Sequence, residues 1–244
     1  MTTVPFRLAL AQCRLVVGDL AGNAATVRRI SADAAAAGAQ LVAFPEMTVT
    51  GYPPEDLVLR RSFSAASEEC VRRLAKELDD DGLGELPAYV GYLRRTDSGA
   101  RNSAAVLHRG EVVASVDKVY LPNYGVFDED RYFQAGDHAV SVEIGGARIA
   151  LTICEDLWWP GPPTDAAKAV GADLLLCTNG SPYERGKAGF RETLLAQRVA
   201  ECDLPLAYVN QVGGQDELVF DGGSFVLDAG GAVLARSPQF LDDL

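Results

Sequence analysis

The sequence predicts an α/β domain of four layers, with helices on both outer faces of two β-sheets packed against each other. Short apolar runs of strand length recur along the whole chain, some joined through long stretches at helical spacing and others through two-residue turn signals. Helix-linked strands run parallel and hairpin-linked ones antiparallel, so a purely parallel sheet is excluded, while two facing sheets with helices outside accommodate both. At 244 residues, 48% of them hydrophobic, the chain suits one globular domain with a sizeable core, and it contains no internal repeat, low-complexity segment or linker.

The elements follow in order. Phe6–Cys13 and Leu41–Phe44 are apolar runs flanking the alanine-rich stretch Asn23–Ala37, a helix that Asn23 is placed to cap and Gly38 to end. A second helix is expected over Ser62–Leu78, where Cys70, Val71, Leu74 and Leu78 recur at helical spacing until Asp79-Asp80-Asp81-Gly82 breaks it. Strands follow at Tyr89–Leu93, Ser103–His108 and Glu111–Val116, the last two joined across Arg109-Gly110. A hairpin across Gly145-Gly146 links Val140–Ile144 to Ala147–Ile153. Then come helix Thr164–Val170, strand Leu174–Thr178, helix Phe190–Glu201, strand Leu206–Val209 and a hairpin of Ser224–Asp228 with Ala232–Ser237. The glycine-rich stretch from Gly213 to Gly223, with Asp216 and Asp221, reads as a structural turn; it lacks the Lys-Ser/Thr that a phosphate-binding loop requires. The ending at Leu241-Asp242-Asp243-Leu244 reads as interrupted rather than finished.

Composition narrows the function. With 22 basic against 34 acidic residues the formal charge is −12, which offers no footprint for nucleic acid or anionic lipid, and a small-molecule substrate is expected instead. Five cysteines, odd in number and widely spaced, resemble neither a disulfide framework nor a zinc site, so no metal is expected. They read as reduced thiols in a cytoplasmic protein. No leader precedes Phe6, and no apolar run approaches the ~20 residues that span a bilayer.

Three residues that carry chemistry close predicted strands: Glu46 after Leu41–Pro45, Lys118 after Val112–Asp117, and Cys154 after Arg148–Ile153. Strand ends are where α/β architectures gather reacting groups, and carboxylate, ammonium and thiol together suffice for acyl transfer. The chain has only His108 and His138, so a cysteine nucleophile would need another base. Glu46 would take the thiol proton, Lys118 would favour the thiolate and the developing oxyanion, and the backbone N–H of Glu155 could add a second oxyanion donor. Each has a plainer reading: Cys154 as a small core residue, Glu46 as a loop carboxylate, Lys118 as a strand-terminal surface charge. Spacing alone does not connect the three. Trp158-Trp159-Pro160 either walls a pocket or seals the sandwich edge, Cys13, Cys70, Cys177 and Cys202 read as core, and His138 as a surface turn residue.

Local sequence connects them. Ala43-Phe44-Pro45-Glu46-Met47 through Gly51-Tyr52-Pro53-Pro54-Glu55-Asp56-Leu57, Asp117-Lys118 through Glu129, Ile153-Cys154-Glu155-Asp156-Leu157-Trp158 and Asn179-Gly180-Ser181-Pro182-Tyr183 resemble the nitrilase superfamily of carbon–nitrogen hydrolases. Within it they are similar to the glutaminase domains of glutamine-dependent NAD synthetases, and the resemblance covers essentially the whole chain.

The resemblance implies roles. Glu46 would be the general base, Lys118 the stabiliser of the tetrahedral intermediate, Cys154 the nucleophile forming a glutamyl thioester, and Glu129 an auxiliary carboxylate. Tyr124, Ser181 and Lys187 fall at glutamine-binding positions; Lys187 would meet the α-carboxylate, with Arg185 as the rival anchor, while Tyr52 and Phe127 would shape the pocket. The resemblance further implies that residues 1–244 are the amino-terminal, glutaminase part of a longer chain. This part would need no cofactor, because ATP and magnesium would belong to an NAD synthetase domain that takes up the ammonia. Assembly into homo-oligomers is expected, with neither nucleic acid nor membrane as a partner. The rival readings are a stand-alone nitrilase-type ω-amidase or carbamoylase and, from another class, an inactive oligomerisation scaffold.

Overall fold

Strands that must be covered on both faces carry apolar side chains at successive positions, and Leu41-Val42-Ala43 is wholly buried. In the computed structural model, which describes residues 6–244, these residues are the second strand of a five-stranded sheet. Its strands are β1 (Leu8–Leu10), β2 (Leu41–Ala43), β3 (Ala88–Thr96), β4 (Gly99–His108) and β5 (Glu111–Asp117), lying side by side in that order. The first three are parallel, and β4 is antiparallel to both its neighbours, so that β5 again runs with the first three, as the helix and hairpin connections require.

The second sheet has six strands. β6 (Val140–Ile144), β7 (Ala147–Ile153), β8 (Leu174–Asn179) and β9 (Leu206–Asn210) are followed in space by β12 (Phe225–Leu227) and β13 (Val233–Arg236). β7, β8 and β9 are parallel, with Ile153 opposite Thr178 and Asn179 opposite Asn210, so their carboxyl ends line up. β10 (Val212–Gln215) and β11 (Leu218–Asp221) form a separate antiparallel hairpin.

Three apolar clusters define the layers. Helices α1 (Leu20–Ala36) and α2 (Arg61–Asp80) bury Val27, Ile30, Val71 and Leu74 against Val42, Val90 and Leu107 of the first sheet. Helices α3 (Pro162–Ala169) and α4 (Lys187–Cys202) bury Ala167, Leu195 and Val199 against Leu175 and Leu206 of the second. Between the sheets lie Leu41, Tyr89, Val106, Ile149, Leu151, Ile153, Leu176 and Val209. Each such Leu, Ile or Val contributes about 1.5–3 kcal/mol by leaving water. This is the predicted four-layer α-β-β-α order. Among the described residues no helix is long and apolar enough to cross a membrane.

Some local expectations are corrected. Asn23 does not cap α1: Asp19 does, accepting from the Gly22 N–H at 2.9 Å. Asn23 sits inside the first turn, buried, where it accepts from the Val16 N–H and donates to the Val16 and Val49 carbonyls. Only Leu8–Leu10 of the run Phe6–Cys13 forms regular strand. The glycine-rich stretch read as a turn contains the β10–β11 hairpin, whose turn includes Asp216 at φ +50°. Glycines weaken strand propensity, and here hydrogen bonding between β10 and β11 overrides it.

Candidate active site

The carboxyl ends of β2, β5 and β7 converge. Glu46 and Lys118 are completely buried, and the Lys118 ammonium lies 2.8 Å from Glu46 Oε1 and 2.9 Å from Glu129 Oε2. Glu46 is held from three further directions. The Asn102 amide donates to its Oε1 at 2.7 Å, the Gly180 N–H donates to its Oε2 at 2.8 Å, and its own N–H donates to the Asn179 carbonyl at 3.3 Å. The Thr178 hydroxyl donates to the Phe44 carbonyl at 2.5 Å, tying the two sheets together beside the base. Two glycines make the approach possible. A Cβ on Gly180 would stand 2.8 Å from the Tyr52 ring, and one on Gly91 would collide with the Met47 amide. Glu46 is thus fixed from both sheets.

Glu129 sits on a 3₁₀ turn after β5, buried, and also accepts from the Tyr52 hydroxyl at 2.9 Å. Burial, opposed by Lys118 and reinforced by the Glu46 charge, pushes its carboxyl up to about 7. Burial by itself would lower Lys118, but Glu129 and Glu46 outweigh it and hold the ammonium well above its ordinary range.

Cys154 follows β7 and opens a 3₁₀ turn, Cys154–Leu157, with φ +45°, a left-handed conformation that residues bearing a side chain rarely adopt. Burial first, then the Glu46 charge, raises the thiol well above its usual value, while Lys118 lowers it. Lys118 therefore favours the thiolate, as expected, yet is outweighed: the resting group is a thiol beside a carboxylate. Such a pair reacts by general-base proton removal during attack rather than through a standing thiolate.

Above the thiol lies a polar rim with aromatic walls. Glu155 accepts from the Tyr124 hydroxyl at 3.0 Å and from the Trp159 indole at 2.9 Å. Lys187, the first residue of α4, places its ammonium 5.8 Å from the Phe127 ring centre and 5.5 Å from that of Trp158. Its side chain is only 11% exposed, its nearest carboxylate is that of Glu184 at 3.8 Å, and burial followed by the Arg191 charge lowers its affinity for the proton. Arg185 points into solvent. Trp158 packs against the Phe190 ring, with the ring centres 5.7 Å apart. Ser181 is buried, its N–H on the Asn210 side chain at 2.9 Å and its hydroxyl 3.3 Å from Arg191 Nε.

The predicted site residues lie at two depths, Glu46, Lys118, Glu129 and Tyr52 in one buried hydrogen-bonded group, and Tyr124 with Glu155 and Phe127 with Lys187 nearer the surface. Tyr52 lies deeper than a residue shaping the mouth, with its hydroxyl on Glu129. Asn102, Gly180 and Arg191 bond to site residues, and Asp156 to the residue just before Cys154, without having been singled out as site residues themselves. Arg191 lies one turn beyond Lys187 on α4, which places it on the same helix face, and its guanidinium meets both Asp221 oxygens at 2.9 and 3.0 Å. Among the described residues no three His, Cys, Asp or Glu side chains gather as a metal-binding group. The other four cysteines are buried and unpaired, and His138 is exposed beside Asp137.

Known proteins resemble this chain in sequence and fold. A glutamine-dependent NAD(+) synthetase of Thermotoga maritima is 40% identical over 243 residues, 98% of this chain and 41% of the relative. One from Xanthomonas campestris pv. campestris is 43% identical over 248 residues, 99% of this chain and 43% of the relative. The chain therefore spans less than half the length of these curated relatives. Among solved structures, the glutamine-dependent NAD+ synthetase of Acinetobacter baumannii in complex with ADP superposes with a TM-score of 0.90 at 36% identity, over 98% of this chain and 44% of that one. An amidase of the nitrilase superfamily from Nesterenkonia does so with a TM-score of 0.83 at 28% identity, over 98% of this chain and 88% of that one. The carbon–nitrogen hydrolase family profile matches residues 7–244, and on that match the chain belongs to the carbon–nitrogen hydrolase family.

Proposed function

We propose that residues 1–244 form a glutaminase domain that releases ammonia from L-glutamine for a separate, ATP-dependent synthetase domain amidating deamido-NAD. The observation that carries the choice of substrate is Lys187, a largely enclosed ammonium over the Trp158 ring whose nearest carboxylate is the exposed one of Glu184 at 3.8 Å. A cation and an anion above one thiol suit the α-carboxylate and α-ammonium of a free amino acid, and put its side-chain amide at Cys154. A simple ω-amide without those charges would use neither group, which disfavours the stand-alone amidase reading. The enclosed Glu46–Lys118 pair disfavours the inactive scaffold.

The chemistry follows from the geometry. Cys154 Sγ attacks the amide carbon as its proton passes to Glu46, and the C=O electron pair becomes an oxyanion stabilised by Lys118 and by the Glu155 N–H. Glu46 returns that proton to the amide nitrogen, the C–N bond breaks, and ammonia leaves a glutamyl thioester. Water then attacks the thioester with Glu46 again taking a proton, which is returned to sulfur as glutamate departs. Glu129 and Tyr52 hold the ammonium in place through both halves.

Two tests apply. Lys187→Ala should raise the glutamine KM by tenfold or more, about 1.4 kcal/mol or more of lost binding, while changing kcat little, because the contact persists from ground state to transition state. An unchanged KM, with the defect appearing in Arg185→Ala, would move the anchor to Arg185. The second test concerns the partner. ATP and magnesium belong to the synthetase domain, so calorimetry of this chain with both should register no saturable heat, while glutamine is still hydrolysed. Saturable ATP binding would overturn the assignment. The proposal extends to a reducing cytoplasm, in keeping with five unpaired cysteines, and to homo-oligomers, which light scattering would detect.

A further inference from the structure

We propose that Asp156 is the positioning residue that holds the reacting ends of β5 and β7 in register, so that Lys118 and Cys154 meet the same substrate atom. The inference rests on the reading of those two residues as the reacting groups. β5 and β7 belong to different sheets, so no ladder of backbone hydrogen bonds sets the distance between their ends. The Asp156 carboxylate, 1% exposed, supplies the connection. Its Oδ2 accepts from the Ile153 N–H at 2.9 Å, immediately before Cys154. Its Oδ1 accepts from the Val119 N–H at 2.8 Å and the Tyr120 N–H at 3.0 Å, immediately after Lys118. The other side-chain bonds between these segments lie at the rim, from Tyr124 to Glu155 and from Tyr120 to Pro160.

The same carboxylate bears on the conformation of the nucleophile. Cys154 stands at φ +45°, and Asp156 closes the turn around it by accepting from the residue just before. Three donors converge on two oxygens, so the site needs acceptors on both sides. Asparagine has the same shape but replaces one acceptor by an NH₂, which would face an N–H on one side or the other. Asp156→Asn therefore keeps one strand end anchored and releases the other.

The test uses iodoacetamide, a small electrophile, with the modified residue located by peptide mass spectrometry, beside glutamine kinetics. In Asp156→Asn the rate of Cys154 alkylation and kcat should both fall by between about tenfold and a hundredfold, the scale of misplaced reacting groups, with KM within about threefold. Formate should restore much of both rates in Asp156→Ala by occupying the vacated carboxylate position. A folded Asp156→Asn protein with parental alkylation and kcat would overturn the proposal, as would a loss confined to KM. Should the parent protein itself show no alkylation at Cys154, the active-site reading fails and this proposal with it; a reactive parent and an unaffected variant sink the proposal alone. If neither variant folds, hydrogen exchange on the parent decides. The Ile153, Val119 and Tyr120 amides should open together with equal protection, and independent exchange of Ile153 would count against the bridge.

Discussion

Cys154→Ala should fold normally and lose glutamine hydrolysis by at least about 10⁴-fold, the scale seen when a nucleophile is removed. The substitution deletes one sulfur from a small buried side chain, so its cost in stability is minor beside its cost in chemistry. A diazo-ketone analogue of glutamine should label the parent protein once, at Cys154, and leave the variant unlabelled. Cys13 and Cys177 serve as internal controls, because burial pushes each up to about 12. They should stay unmodified until the protein unfolds. Labelling at any thiol but Cys154, or retained turnover in the variant, would refute the assignment.

Lys118→Ala should be the most disruptive of the remaining substitutions, because it damages catalysis and stability together. It removes the only ammonium bonded to Glu46 and Glu129 among the described residues, and with it the stabiliser of the oxyanion. Turnover should fall on the order of a hundredfold or more. Stripping one partner from a buried ionic group costs about 3–5 kcal/mol, which urea unfolding at pH 8 would register. The loss has a predictable pH dependence. A carboxyl held above its ordinary value weakens the fold only where the unfolded chain would be ionised and the folded one resists it. Glu129 already stands at about 7 against an ordinary 4.5, and losing Lys118 raises it further. The extra instability from Glu129 should therefore be absent up to about pH 7, where both folded proteins hold that proton, and should grow as the pH rises above 7 toward the variant's higher value. Glu46→Gln separates the two effects, since it keeps the shape and lowers the local charge. It should lose on the order of a hundredfold in turnover with a smaller change in stability. Near-normal turnover in either variant would be incompatible with the triad.

Much of this architecture is legible along the chain. The strands expected at Tyr89–Leu93, Ser103–His108 and Glu111–Val116 follow from apolar runs bounded by turn residues, and the hairpins across Arg109-Gly110 and Gly145-Gly146 form with the expected pairings. The α2 helix follows from Cys70, Val71, Leu74 and Leu78, all of which face the core. Where the reading fell short, a contact distant in sequence had prevailed over a local preference. Asn23 has the chemistry of a helix cap, but the Val49 carbonyl 26 residues away takes its amide, and Asp19 caps instead. The glycines of β10 discourage a strand, yet pairing with β11 makes one.

The site divides in the same way. Residue type and position at strand ends mark Glu46, Lys118 and Cys154 as candidates, and local motifs add Glu129, Tyr124, Ser181 and Lys187, because side-chain chemistry is written in single letters. Protonation states are not written there: the resting thiol and the raised Glu129 arise from burial and from charges brought together over 72 residues, between Glu46 and Lys118. Nor is the register between β5 and β7, which Asp156 sets across 36 and 37 residues of intervening chain. The sequence by itself determined which groups are available and which strands carry them, since apolar periodicity and turn chemistry act over a few residues. Only the tertiary structure decided how those groups share charge, protons and distance, because these depend on the desolvation and convergence of side chains that no local pattern relates.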